Sequence, residues 1–241
     1  VCAMEKRGDE LTVDFAGTSP QVRGAINMTR SFTLSSVYFA VRCILDADIP
    51  NNEGFFRPLN VVTTPGTVVD ALPPAPVASR VLTAFRVCDA LLGALAQMLP
   101  DRVLACGVAG DSNINVSGYY SDRTPFAQLD WLFGSWGGRP NKDGIDHHAS
   151  LCSNFSNTPV EVIEVESPLM VEEYALVPDT GGAGRFRGGL AATRRWRLVG
   201  ADEARLHVRA DRMKFLPYGL RGGGSGLPAR NILCAENAIR E

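Results

Sequence analysis

Ser79-Arg80-Val81-Leu82-Thr83-Ala84-Phe85-Arg86-Val87-Cys88-Asp89-Ala90-Leu91-Leu92-Gly93-Ala94-Leu95-Ala96-Gln97-Met98-Leu99-Pro100-Asp101 is the stretch that decides the fold. Val81, Phe85, Cys88, Leu92, Leu95 and Leu99 recur at steps of four, three, four, three and four, one continuous apolar stripe on a helix. Ser79 stands where an N-cap belongs, and Pro100-Asp101 ends the run. Such a stripe is read as a core face. Upstream, Pro73-Pro74-Ala75-Pro76 is a stiff connector, and Leu59–Val62 and Thr67–Val69 read as short strands around a Pro65-Gly66 turn. From Ser31 to Asp46 the residues Leu34, Val37, Val41, Ile44 and Leu45 follow helical spacing, closed by Ile49-Pro50-Asn51-Asn52. Leu11–Phe15 alternates as a half-buried strand does.

Downstream the texture changes. Residues Gly107–Gly144 are rich in Gly, Ser, Asn and Asp with interspersed aromatics, and read as irregular structure with short strands. Val160–Glu166, Met170–Val177, Ala191–Val199 and Ala204–Arg209 then read as strands, the last with His207 on the face of Arg205 and Arg209. Helices and strands are segregated, which predicts an α+β fold: mixed sheets, two main helices in the first half and a mostly β second half. One domain over residues 1–241 is expected, with room for a division into an α+β part, 1–105, and a mostly β part, 106–241.

The balance of 24 basic and 26 acidic residues, net −2, removes the electrostatic case for nucleic acid. With 45% apolar and 21% charged residues, the chain has the composition of a folded globular protein. No run approaches the roughly 18 consecutive apolar residues of a membrane span. Val1-Cys2-Ala3-Met4-Glu5-Lys6-Arg7 lacks the apolar core of a signal peptide, and its start at Val suggests a fragment or a processed chain. The six cysteines are scattered without a Cys-x-x-Cys pair, so a zinc ribbon is not expected. Cys43 and Cys88 fall on apolar helix faces as buried thiols, which points to a reducing, cytoplasmic setting.

Chemistry concentrates in loops. Pro178-Asp179-Thr180-Gly181-Gly182-Ala183-Gly184-Arg185-Phe186-Arg187-Gly188-Gly189 offers glycine amides and two arginines to an anion, or else a glycine-rich turn with solvated arginines. It is neither the dinucleotide fingerprint nor a Walker loop, because the third glycine and the Gly-Lys-Ser/Thr are missing. Tyr218–Gly226 and Gly134–Pro140 carry the same ambiguity. Asp143-Gly144-Ile145-Asp146-His147-His148 holds the one cluster of metal-ligand types, yet adjacent histidines rarely ligate one ion together. His147 can serve as a general base or remain a surface residue. Ser153-Asn154-Phe155-Ser156-Asn157-Thr158-Pro159 places two amides where they can bond a carbonyl or imide, or cap a turn.

Several segments in order resemble the hydantoinase B family. They are Asp14-Phe15-Ala16-Gly17-Thr18-Ser19-Pro20-Gln21-Val22-Arg23-Gly24, Asp48-Ile49-Pro50-Asn51-Asn52-Glu53-Gly54, Gly137-Gly138-Arg139-Pro140 with Asp143-Gly144, Asn157-Thr158-Pro159-Val160-Glu161, and Pro178–Gly189. The resemblance implies the B-type subunit of an ATP-dependent cyclic amide or imide hydrolase of hydantoinase or oxoprolinase type. ATP is then bound by a hydantoinase A-type partner and not by this chain, which makes a hetero-oligomer acting on a small molecule. A ketone carboxylase subunit of the acetone or acetophenone class shares these motifs, and a truncated, non-catalytic scaffold is the third reading. Family members are longer at both ends, and the family's metal site falls in the portion preceding this chain, so any divalent metal is expected outside this region. The expected catalytic residues are His147 and Asp179, with Asn154, Asn157, Arg185 and Arg187 binding substrate or anion. For Asp179 a turn-capping role is the alternative.

Overall fold

The computed structural model describes residues 1–108, 110–235 and 238–240. The chain divides into two compact units, Val1–Leu104 and Ala105–Glu241.

In the first unit, β1 (Ala3–Arg7) pairs antiparallel with β2 (Glu10–Asp14), and β2 pairs parallel with β3 (Leu59–Val62), giving a mixed sheet. The parallel pair requires a crossover. It contains α1 (Arg30–Arg42) and the single turn α2 (Glu53–Phe56), which Asn52 caps by accepting a 3.0 Å bond from the Gly54 amide. The helix α3 (Arg80–Met98) follows, with Ser79 at its N-cap position. Its buried residues cover about half the circumference. Ala84, Val87 and Leu91 pack with Val13, Phe15, Val37, Val41 and Val61 into the core of this unit. Phe85, Cys88, Leu92 and Leu95, four members of the expected stripe, form the other edge of the buried arc. Among the described residues α3 is the one helix long and apolar enough to cross a bilayer; here its apolar face is core.

The motif at Asp14–Gly24 is explained locally. Gln21 clamps Leu72 through both amide atoms, at 2.8 and 3.3 Å. Asn27, fully buried, accepts from the Val22 amide and donates to the carbonyls of Val22, Gly24 and Pro76, which ties the proline connector to the loop. Two expectations fail here, and one strand is not among those expected. Thr67–Val69 is a turn with isolated bridges at Thr67, where the Thr67 amide bonds the Thr64 carbonyl and the Asp70 amide bonds the Thr67 carbonyl, while Val68 bonds Ser19 and Met28. α1 ends at Arg42, so Cys43 lies beyond the helix face and is exposed. β1 has no counterpart in the sequence reading, since Glu5, Lys6 and Arg7 leave it little apolar pattern.

In the second unit, β4 (Ser112–Tyr119) is central, flanked antiparallel by β5 (Pro125–Leu132) and β8 (Ala204–Arg209). β6 (Leu169–Leu176) and β7 (Ala192–Leu198) form a second antiparallel pair with a bulge between Val171 and Glu173. The short pair β9 (Leu233–Ala235) and β10 (Ala238–Arg240) ends the described chain. Ile114, Val116, Phe126, Ile163 and Leu169 make the core, with Val171, Trp196 and Val208 packed on it.

Val160–Glu166, expected as a strand, is the helix α4 (Val160–Glu166). Pro159 precedes it, Glu161 sits favourably in its first turn, and a single residue, Ile163, needs burial. Ser167 bonds back to the Ile163 carbonyl at 2.7 Å. None of the six cysteines forms a disulfide. The architecture is α+β.

Candidate functional site

The second unit brings together five polar side chains from five segments. Asp130 lies on β5 opposite Ile114, on the sheet face that carries the core. It accepts from Nη1 of Arg194 on β7, 2.7 Å from each carboxylate oxygen, and from the indole N–H of Trp196 at 2.9 Å. Both members of the ion pair have side chains with 0% exposure. Arg194 Nε is also buried and has no hydrogen-bond partner.

The guanidinium of Arg194 stacks on the ring of Tyr174, 3.8 Å from its centroid. Its Nη2 lies 3.4 Å from Asn157 Oδ1. Asn157 Nδ2 donates to the Tyr174 hydroxyl at 2.7 Å, and that hydroxyl is hydrogen-bonded to His147 Nε2. His147 Nδ1 is 2.9 Å from the Phe133 carbonyl. A carbonyl can only accept, so Nδ1 carries the proton and Nε2 presents a lone pair to Tyr174. The bonds therefore run in one direction: Arg194 to Asn157, Asn157 to Tyr174, Tyr174 to His147, His147 to the main chain.

Burial lowers the His147 pKa below its ordinary value, the Phe133 carbonyl opposes this, and the positive charge of Arg194 and the neighbouring His148 push it further down. The imidazole is thus held neutral. Beside it, Trp131, Phe155 and Phe133 stack, with centroids 5.4 and 6.4 Å apart. Phe155 remains half exposed.

The loop carrying His147 is pinned from behind. Arg187 makes a two-pronged pair with Asp146 at 2.7 and 3.2 Å, and its amide bonds Asp143. Asp146 also accepts from the Leu190 amide, and the His147 amide bonds the Leu190 carbonyl. Hydrogen bonding from Arg187 holds the Asp146 carboxyl below the usual carboxylate range.

Of the six residues expected from sequence, His147 and Asn157 meet directly, and Arg187 fixes the loop that bears His147. Its guanidinium faces two carboxylates, which distinguishes it from an arginine open to an anion. Arg185 is exposed over the ring of Phe186. Asp179 sits in an exposed turn with φ 59° and takes no part in the hydrogen bonds of the cluster. Asn154 is exposed and takes no part in the hydrogen bonds of the cluster. Sequence reasoning misses Asp130, Tyr174 and Arg194. The available signal is a carboxylate and an arginine alternating with aromatic and apolar residues on single strand faces.

The glycine segments pack main chain on main chain. A Cβ on Gly189 would collide with the Ile145 carbonyl, and one on Gly182 with the Gly224 carbonyl. Their residue type is required by close approach. Among the described residues no group of three or more His, Cys, Asp or Glu side chains converges to hold a metal ion.

The family model described as Hydantoinase B/oxoprolinase matches residues 1–241. The B component of a putative D-/L-hydantoinase from a Pseudomonas species is 37% identical over 226 residues, covering 91% of this chain and 38% of that protein. The crystal structure of the ATP-dependent caprolactamase from Pseudomonas jessenii superposes with a TM-score of 0.73 at 26% identity, over 82% of this chain and 35% of that one. Nucleotide-free acetone carboxylase gives a TM-score of 0.70 at 18% identity, over 85% and 28%, a likeness of fold alone. The chain spans little more than a third of the length of the first two. With a family match that leaves no part of the sequence outside it, this chain belongs to the Hydantoinase B/oxoprolinase family.

Proposed function

We propose that this chain is part of the B-type subunit of an ATP-dependent hydrolase of cyclic amides or imides, working with a separate A-type subunit that binds ATP. The observation that carries this reading is kinship: a hydantoinase component at 37% identity and a caprolactamase at 26% are both named for cyclic amides. The chemistry agrees. An amide carbonyl is a poor electrophile, and transfer of a phosphoryl group to its oxygen makes the carbon easier to attack. Such a division of labour asks this chain for proton handling and substrate placement. His147 held neutral, and Asn157 beside it, answer that need. Arg187 serves by fixing the His147 loop. The proposal places the enzyme in the cytoplasm, a reducing setting that suits six cysteines of which none is in a disulfide.

The test is to co-express the full-length subunit with an A-type partner and to supply hydantoin, 5-oxoproline and caprolactam in turn. Ring opening matched to ADP formation is expected for one of them. Opening without ATP or without the partner refutes the proposal. Bicarbonate-dependent ATP consumption with a ketone assigns the carboxylase reaction instead. A stable complex that turns over none of these assigns a scaffold.

A further inference from the structure

We infer that Tyr174 is the catalytic residue that exchanges a proton with the reacting substrate, with His147 as the base behind it; the chemical step rests on the cyclic-amide reading above. Both ring nitrogens of His147 are engaged, one by the Phe133 carbonyl and the other by the Tyr174 hydroxyl. Tyr174 itself is 39% exposed. A substrate therefore reaches the histidine through the tyrosine. The donor order makes the Tyr174 proton the one already directed at a lone pair.

The groups facing this pair are few and defined. Arg194 lies over the tyrosine ring, 3.8 Å from its centroid, where its positive charge opposes protonation of His147. Asn157 donates to that same oxygen. Asp130 neutralises Arg194 from the buried side and holds its plane. His148 is a further titratable neighbour.

The step balances. A water O–H bond breaks, its proton passes to Tyr174 Oη, and the Tyr174 proton passes to His147 Nε2. The water oxygen forms a bond to the carbon whose oxygen carries the phosphoryl group taken from ATP, and the C=N π pair moves to nitrogen. The C–N bond then breaks with its electron pair on nitrogen, which takes a proton from Tyr174 as Tyr174 recovers one from His147. The new hydroxyl becomes the C=O of an acyl phosphate and gives its proton to the released amine. A second water adds its oxygen to that acyl carbon and a proton to the departing phosphate, so that ATP ends as ADP and phosphate, the ring is open and both residues are restored.

The experiment uses the full-length subunit, alone and with its A-type partner, as wild type, Tyr174→Phe and His147→Gln. Tyr174→Phe removes one oxygen and leaves the ring on Arg194. It is expected to lower kcat about 100-fold or more, with KM within threefold and an unchanged unfolding midpoint. The wild-type rate should fall on the acid side as His147 gains a proton, and His147→Gln should abolish that limb. A Tyr174→Phe enzyme within threefold of wild type overturns the inference and leaves the hydrolase reading standing. If no cyclic amide is opened at all, the hydrolase reading fails, and nitrogen-15 NMR of the histidine-labelled protein still decides the relay. The His147 signal, assigned by its loss in His147→Gln, should show a neutral ring protonated on Nδ1 and an Nε2 resonance that moves in Tyr174→Phe. A ring protonated on Nε2, or an unmoved resonance, refutes it.

Discussion

Replacing Asp130 by asparagine keeps the shape of the side chain and removes its charge. Three donor contacts then meet a neutral amide in place of a carboxylate: two from Arg194 Nη1 at 2.7 Å and one from Trp196 at 2.9 Å. Because neither charged side chain touches solvent, Arg194 has no water to fall back on. Breaking a buried pair from one side costs about 3–5 kcal/mol. That is a large share of the roughly 5–15 kcal/mol by which domains are stable. All three tryptophans, Trp131, Trp136 and Trp196, lie in the second unit, so urea unfolding followed by tryptophan fluorescence reports on it specifically. Arg194→Met should cost a comparable amount. The double variant should regain much of the loss, since no unpaired charge is left behind. A destabilisation by Asp130→Asn below about 1 kcal/mol, or strict additivity in the double variant, would refute the view that the pair is a dry, mutually dependent unit.

Further outcomes are checkable in the same way. The pair between Arg187 and Asp146 is partly exposed, so Arg187→Ala should barely move the urea midpoint near neutral pH while turnover in the ring-opening assay falls; equal losses of both would make Arg187 purely structural. Since the folded Asp146 pKa is depressed, its contribution is present above the unfolded value near about 3.9 and is lost as pH falls through the folded one, and Arg187→Ala should flatten that acid slope in pH-dependent urea unfolding. The His147 pKa is likewise lowered in the folded state, so the unfolded chain takes up the proton first. Stability of the second unit should therefore decline as pH drops below about 6.5, and less so in His147→Gln. Leu91 is fully buried in the first unit, and Leu91→Ala should cost about 2–5 kcal/mol by circular dichroism of unfolding.

The elements that declare themselves in the sequence are those whose own periodicity matches their burial. α3 has a stripe because helical geometry puts every third or fourth residue on one side, and β2 occurs where the alternation of Leu11–Phe15 predicts a strand. Val160–Glu166 fails because its valines alternate as in a strand, while tertiary packing selects Ile163 alone and leaves Val165 85% exposed. The hairpin of β4 and β5 is obscured by Asn113, Asn115, Ser117 and Gly118, though Ile114 and Val116 already carry the period of two. The site is half legible. His147 and Asn157 stand out as residue types in loops. Tyr174, Arg194 and Asp130 sit on strands, and only the pairing of β6 with β7 and the approach of β7 to β5 make them neighbours.

The contact between Gly189 and the Ile145 carbonyl sets a rule for anyone reshaping this protein. The main chain of Trp136 joins them, so three distant segments meet there without side chains. No conservative exchange exists, and alanine at Gly189 should cost about 1–3 kcal/mol and tilt the imidazole. Under the proposed function, altered substrate preference is better sought at Asn154, Phe155 and Ser156, exposed positions in and next to the aromatic stack where volume can change without forcing main chains apart.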